Sequence, residues 1–142
     1  SYCYDLNGNM VSGDGRSIVY SPYDLPTSIA RGFSTVTFAY GPERERYKRV
    51  DSTTAGTTTT LYAAGKAYEK ITRPNGTVEE KLYVGGFAVL TKNGGTTFNY
   101  LLGDHLGSVD TITDALGAVA QKMSFDAWGK RREAAPSASL LF

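Results

Sequence analysis

Apolar and polar residues alternate along much of the chain, but the alternation is mixed rather than clean. Alternation with a period of two is typical of β-strands. Over 77–84, both faces of the predicted strand carry charged side chains: Val78, Glu80, Leu82 and Val84 on one face, and Thr77, Glu79, Lys81 and Tyr83 on the other. This pattern indicates a sheet that does not cover one dry core and instead has solvent or a cargo on each side.

Turn-forming clusters divide this pattern into a repeat of about twenty residues. Glycines recur in two series that are out of phase: Gly56, Gly76, Gly95 and Gly117, and Gly65, Gly86, Gly107 and Gly129. Two turns per repeat predict one β-hairpin per repeat. The predicted strands are 46–53, 57–63, 66–73, 77–84, 87–92, 96–102, 107–113 and 118–126. With a less regular N-terminal third, we expect about eight to ten strands.

Tyrosines follow a related spacing, at Tyr4-Asp5, Tyr23-Asp24 and Tyr40-Gly41 and then at Tyr62, Tyr83 and Tyr100. An aromatic side chain at the end of alternate strands is expected to lie across the neighbouring strand. Because an isolated hairpin is marginally stable in water, the hairpins must stack edge to edge. The predicted fold is all-β, with tandem β-hairpins forming a curved or spiralling antiparallel sheet. Because the two edge strands of such a sheet would be unpaired, we expect either self-association of the chain or neighbouring strands outside it.

Composition excludes several other classes of protein. The 142 residues carry a net charge of +1, so no global field attracts nucleic acid or an anionic membrane. One cysteine, Cys3, and one histidine, His105, provide neither an internal disulfide nor the ligands of a structural zinc, and we predict no metal and no cofactor. No apolar run reaches the roughly 18–20 residues of a membrane span. The first residue, Ser1, and the apolar end at Phe142 suggest an excised segment.

Three sequence blocks carry a more specific pattern. They are Tyr4-Asp5 with Gly8, the run from Tyr40 to Val50, and Asp104-His105-Leu106-Gly107-Ser108 followed by Phe125-Asp126-Ala127-Trp128-Gly129. Together they resemble an Rhs, or YD-repeat, protein over essentially the whole chain. The block from Asp104 resembles the start of the Rhs-associated core.

The resemblance implies a hollow β-shell that encloses a C-terminal toxin domain, as in Tc toxin cocoons, with the teneurins as a related adhesive barrel. It implies a non-enzymatic wall segment, secreted or at the cell surface, whose export often uses a type VI system. Its partners would be the rest of the same polypeptide and the enclosed toxin. The self-cleavage site of such shells would lie beyond Phe142. Along the chain we expect irregular repeats over 1–50, regular hairpins over 51–103 and the core-like segment over 104–142, as one continuous array.

We predict that the residues of the repeat signature are structural rather than catalytic. They are Tyr4, Asp5, Gly8, Tyr23, Asp24, Tyr40, Gly41, Tyr62, Tyr83, Tyr100, Asp104, His105, Leu106, Gly107, Ser108, Phe125, Asp126, Trp128 and Gly129.

Two alternatives involve chemistry at particular residues. Asp104, His105 and Ser108 contain the residue types of a hydrolytic triad, but residues so close in one turn rarely reach the required geometry. Asp104 is expected instead to accept hydrogen bonds from turn amides. Gly107 is expected to adopt a backbone conformation that is closed to other residues. The run from Glu43 to Arg49 would place Arg44, Arg46 and Lys48 on one face as a cationic stripe, although interleaved acids favour cross-strand ion pairs.

The main alternative function is carbohydrate binding or adhesion through exposed tyrosines, because aromatic faces stack on sugar rings. Inter-strand packing is the simpler role for tyrosines at repeat spacing, and Trp128 is expected to be a packing anchor. Asn75-Gly76-Thr77 matches a glycosylation sequon, but Asn-Gly also suits a hairpin turn.

Overall fold

The computed structural model describes residues 1–132. These residues form thirteen β-strands and one short 3₁₀ turn, Ala64–Lys66. The strands are β1 Cys3–Tyr4, β2 Met10–Gly13, β3 Arg16–Tyr20, β4 Pro26–Arg31, β5 Ser34–Tyr40, β6 Arg46–Thr53, β7 Gly56–Ala63, β8 Tyr68–Thr72, β9 Val78–Val84, β10 Ala88–Lys92, β11 Thr96–Gly103, β12 Val109–Thr113 and β13 Val119–Lys122.

Each strand pairs with its neighbours in sequence, so the order of the strands in the sheet is the order in the chain. This connectivity confirms the predicted all-β fold of tandem antiparallel hairpins. All eight glycines of the two spaced series lie in or beside turns. Seven of them have positive φ, for example 84° at Gly107 and at Gly117, a backbone conformation that side chains with a Cβ rarely adopt.

The predicted strands differ from the observed ones in two places. The N-terminal fifty residues contain five complete strands and the start of a sixth, so the total exceeds the predicted eight to ten. The last predicted strand, 118–126, ends at Lys122 because Asp126 opens a new turn, and Phe125 makes only an isolated bridge to Arg131. The predicted division at residues 50 and 103 stays a prediction, and 133–142 of its last segment lie outside the described residues.

The chain divides into two compact units, which differ in what they bury. The first unit comprises 1–82 with 91–95, and its buried side chains with polar groups are Thr60, Glu79 and Lys81. The second comprises 83–90 with the described residues from 96 onward. It holds the buried apolar side chains of the described chain, Ala88, Val89 and Ile112. Three such side chains are too few for a conventional core, so backbone pairing and turn chemistry carry much of the stability.

Strand β9 shows how unusual the burial of the first unit is. Glu79 and Lys81, on one face of the strand, are 9% and 4% exposed, whereas Val78 and Leu82, on the other face, are 41% and 43% exposed. The face that carries both Glu79 and Lys81 is therefore the protected one. Residues opposite one another on paired strands share a face, so Ile71, opposite Glu79, also belongs to the protected face.

Candidate functional site

The candidate site is a set of five-residue turns with one shared backbone geometry. In each turn the first residue donates its N–H to the carbonyl of the fifth, and the fourth donates its N–H to the carbonyl of the first, at 2.8–3.1 Å. This is a three-residue hairpin loop closed by a residue of positive φ. In the described chain the turns are 5–9, 21–25, 41–45, 73–77, 104–108, 114–118 and 126–130.

An aspartate in the first position completes four of these turns. One carboxylate oxygen of Asp5, Asp104, Asp114 and Asp126 accepts the N–H groups of both the third and the fifth residue, at 2.8–2.9 Å. These N–H groups would otherwise need water as a partner. For Asp5, the hydrogen bond from the N–H of Asn9 is the main cause of a pKa below the ordinary value of 3.8. The carboxylates therefore serve as local turn closures.

The structure assigns Tyr23-Asp24 a place that differs from that of Tyr4-Asp5. The turn begins at Ser21, whose Oγ lies 3.3 Å from the N–H nitrogens of both Tyr23 and Leu25. Asp24 is the fourth residue, with a φ of 59°, where Gly8 stands in the first turn. The structural equivalent of Tyr4-Asp5 is thus Tyr20-Ser21. The sequence suggested that Tyr23-Asp24 is equivalent to Tyr4-Asp5, because a Tyr-Asp dipeptide does not reveal which position of the turn its aspartate occupies.

Within 1–132, two of the three tyrosines that directly precede such turns connect neighbouring strands. The hydroxyl of Tyr20 donates to the carbonyl of Met10 at 3.1 Å, and that of Tyr40 donates to the carbonyl of Pro26 at 2.8 Å. Each bond joins the end of one strand to the beginning of the strand before it. Tyr20 was absent from the predicted set, although its spacing of 16 from Tyr4 and 20 from Tyr40 would have indicated it.

The other predicted aromatic residues have different surroundings. Tyr62 lies near the guanidinium of Arg46, and Tyr100 packs edge to face against Phe98 with 5.1 Å between ring centres. Tyr83 lies in β9 and is partly buried. Trp128 is 94% exposed, so the prediction that it is a packing anchor is wrong. It is the third residue of the turn 126–130.

Successive turns along one edge of the first unit contact each other through side chains. The amides of Asn7 and Asn9 donate to one carboxylate oxygen of Asp24, at 3.0 and 2.7 Å. In the next turn, the guanidinium of Arg44 lies 4.4 Å from the centre of the Tyr23 ring. Asp24 and Arg44 are both fourth residues with positive φ, where glycine is usual. Their side chains connect one turn to the turn before it.

The structure does not assemble the triad of Asp104, His105 and Ser108. One oxygen of Asp104 accepts from the backbone N–H of Ser108 and of Leu106, while His105 is exposed in the turn between them. None of the hydrogen bonds found within 1–132 joins the His105 side chain to either partner. A relay would need the histidine between the carboxylate and the hydroxyl.

The predicted stripe of Arg44, Arg46 and Lys48 is also wrong. Arg44 belongs to the turn 41–45 and not to a strand. In the two strands joined by this turn, the pairing register shifts between Ala39 and Tyr40, so that Ala39 pairs with Lys48 and Tyr40 pairs with Arg46. A bulge of one residue moves a side chain to the other face of a sheet. Arg46 therefore lies on the face of Phe38 and Arg49, opposite to that of Lys48.

The protected face of β9 carries a network of charges. Glu79 accepts from Arg73 at 3.3 Å and from the Asn93 amide at 3.1 Å through one oxygen, and its other oxygen lies 3.5 Å from the Lys81 ammonium. A buried carboxylate requires such partners because it has lost its water. The sequence did not reveal this network, because the alternation of residues over 77–84 does not show that Arg73 and Asn93 contact Glu79.

Two further observations concern other kinds of site. Within 1–132, no group of three or more His, Cys, Asp or Glu side chains is placed to hold a metal ion. No helix in the same residues is long and apolar enough to cross a membrane.

The fold defines a class: an antiparallel sheet of tandem hairpins whose turns repeat one hydrogen-bonding plan. Solved structures that share this fold include the following two. One is the Photorhabdus luminescens Tc holotoxin pore carrying the TccC3 D651A mutation, with a TM-score of 0.76 at 13% identity. The other is a TcdB2-TccC3-TEV crystal structure, with a TM-score of 0.79 at 12% identity. Each match covers 90% of this chain.

These neighbours are Tc toxin chains that contain an Rhs/YD shell, so the predicted Rhs/YD resemblance is confirmed at the level of the fold. The chain spans about 7% of the length of either solved chain. No protein-family model and no curated protein matches its sequence.

Proposed function

We propose that the chain is a non-catalytic wall segment of an Rhs/YD shell that encloses and delivers a C-terminal toxin domain. The observation that carries this proposal is a continuous array of hairpins with only three buried apolar side chains among the described residues. A sheet of this kind gains little by covering its own core and is suited to separating two compartments. The shared fold with Tc toxin chains supports the same function.

The proposed partners are the rest of the same polypeptide and the enclosed toxin. Unpaired strand edges would join further hairpins, or a second copy of the chain if those hairpins were absent. The proposed location is outside the producing cell or on its surface, after export as part of a larger toxin, with a type VI system as one route. The turn carboxylates support the non-enzymatic part of the proposal, because one oxygen of each already accepts two backbone N–H groups.

The test measures containment in the full-length polypeptide that carries this segment. Ile112→Asp places a charge at a side chain that is 0% exposed, and Val119→Asp places the same charge on the neighbouring strand at a residue that is 57% exposed. We expect the C-terminal domain to resist trypsin in the unchanged protein and in Val119→Asp. In Ile112→Asp its cleavage should be about tenfold faster or more, because the wall opens locally.

Cleavage of the C-terminal domain at the rate of the free domain, in the unchanged protein, would contradict containment. Equal protection in both variants would show that this segment is not part of the wall.

Carbohydrate binding through exposed tyrosines stays a prediction and the alternative function. The ring of Tyr62 neighbours Arg46 and that of Tyr100 contacts Phe98, so neither ring is wholly free to stack on a sugar. A glycan array with the chain and its Tyr62→Ala, Tyr83→Ala and Tyr100→Ala variants distinguishes the two functions. A wall segment binds no specific glycan, whereas a binding module loses its ligand in variants that remain folded.

A further inference from the structure

A pocket of about 340 Å³ lies beside the 3₁₀ turn of the first unit. Its lining includes Arg46, Tyr47, Tyr62 and Lys66, and its volume is near the lower end of pockets that hold small molecules. Two cations and two aromatic rings at one concavity are not explained by the wall function.

Neither cation has an acidic partner within the described chain. Arg46 and Lys66 make no salt bridge with residues 1–132, although Arg49, Arg73 and Lys81 each have one. The Nε atom of Arg46 is buried and has no hydrogen-bond partner there. This one donor of the guanidinium is therefore not satisfied by the described residues.

One acidic side chain, Glu45, also lines the pocket, but it does not neutralise the two cations. One of its carboxylate oxygens occupies the space where a Cβ on Gly41 would sit, so the side chain is folded over the turn 41–45. The pocket consequently retains an excess of positive charge.

The orientation of the Arg46 guanidinium is fixed by two aromatic rings. Its central carbon lies 5.2 Å from the ring centre of Phe38 and 5.2 Å from that of Tyr62. A guanidinium held in this way presents a planar set of donors, which matches the two oxygens of a carboxylate better than a flexible ammonium does. A ligand would engage the two terminal nitrogens, since Nε is shielded from solvent.

The backbone beside the pocket is strained. Ala64, Gly65 and Lys66 have φ values of 50°, 64° and 72°, so three consecutive residues are left-handed and two of them carry a Cβ. Such conformations are energetically unfavourable for residues with a Cβ and are concentrated at functional sites. Here the strain places Lys66 at the same pocket as Arg46.

We propose that this pocket binds a carboxylate, with Arg46 as the bidentate donor and Lys66 as a second positive charge. The carboxylate comes either from a free small dicarboxylate or from a glutamate side chain of a polypeptide. This site is independent of the proposed wall function, since it requires only the first unit of the chain.

Titration of the 142-residue chain, followed by NMR shifts and calorimetry, tests the proposal. The probes are glutarate, a capped pentapeptide with one central glutamate, and inorganic phosphate. The variants are Arg46→Gln, Arg46→Lys and Lys66→Gln, with Lys92→Gln as the matched control, because Lys92 is an exposed lysine at a strand end outside the pocket.

We expect one carboxylate to bind per chain, with its largest shifts at 62–66. Arg46→Gln should weaken carboxylate binding about tenfold or more, and Arg46→Lys should bind no more tightly than Arg46→Gln. Lys66→Gln should weaken binding about two- to fivefold. Lys92→Gln should leave it unchanged. Tighter binding of glutarate would identify a free dicarboxylate as the source, and tighter binding of the peptide a polypeptide side chain.

Three results would overturn the proposal. The first is that neither carboxylate probe shows saturable binding. The second is that the folded Lys66→Gln and Arg46→Lys variants both bind the carboxylate with the affinity of the unchanged chain. The third is that phosphate binds as tightly as either carboxylate. Lys66 is exposed, so its substitution does not depend on how Arg46 packs.

Discussion

The guanidinium of Arg44 lies 4.4 Å from the ring centre of Tyr23, so the fourth residue of one turn rests on the third residue of the turn before it. Arg44 reaches this position from a backbone φ of 64°. Neighbouring repeats are thus connected at their turns as well as through strand pairing, and this second connection can be measured.

A double-mutant cycle on Tyr23→Leu and Arg44→Ala should give a coupling free energy of about 0.5–1 kcal/mol, the value of a partly exposed cation–π contact. Urea denaturation measures it. The control cycle pairs Tyr23→Leu with Arg31→Ala, at the far end of β4, and should give coupling near zero. Equal coupling in the two cycles would mean that the contact contributes no specific energy.

Asp104→Ala should lower the free energy of unfolding by about 1–2 kcal/mol, because two turn amides lose their acceptor. Asp104→Asn, which retains an amide oxygen, should cost less. His105→Ala, one residue further in the same turn, should change stability by less than about 0.5 kcal/mol. A larger effect at His105 than at Asp104 would refute the assignment of the carboxylate as the turn closure.

Glu79→Ala should cost about 1–3 kcal/mol, because Arg73 and the nearly buried Lys81 each lose an interaction with the Glu79 carboxylate. The double variant Glu79→Leu with Lys81→Met should recover much of that loss, since apolar side chains of similar volume need no partner. Thermal and urea unfolding provide the values. If the double variant is less stable than Glu79→Ala, the network contributes more than mutual charge compensation.

The pH dependence of stability should include a contribution from Asp5. Its pKa in the folded chain lies below 3.8, chiefly through the hydrogen bond from the Asn9 N–H. The stabilisation is therefore complete above the unfolded pKa of about 4 and disappears as the pH falls through the lower folded pKa. Urea midpoints should fall less steeply below about pH 4 in Asp5→Asn than in the unchanged chain. Parallel curves would exclude Asp5 as a source of acid sensitivity.

Local turn chemistry explains why so much of the fold was predictable. Gly107 and Gly117 need positive φ, and an aspartate three residues earlier closes the turn with its own carboxylate. Neither requirement depends on distant residues. The N-terminal strands were underestimated because their turns replace these residues by Ser21, Gly41, Asp24 and Arg44, which retain the geometry without the motif.

The candidate pocket could not have been found in the same way. Arg46 and Lys66 lie twenty residues apart, and alternation alone assigned Arg46 to the face of Lys48. The register irregularity beside Tyr40 reversed that assignment, and only the pairing of three strands brought Phe38, Arg46 and Tyr62 together.

From residue 51 onward, the sequence by itself determined where the chain reverses, because glycine and aspartate impose turn geometry within five residues. It also determined that the elements between the reversals are strands. Only the tertiary structure decided which face of β9 is protected, with Glu79 and Lys81 shielded while Val78 and Leu82 remain partly exposed. The physical reason is that a carboxylate can be buried when Arg73, Asn93 and Lys81 surround it, and these partners meet only when separate parts of the chain come together.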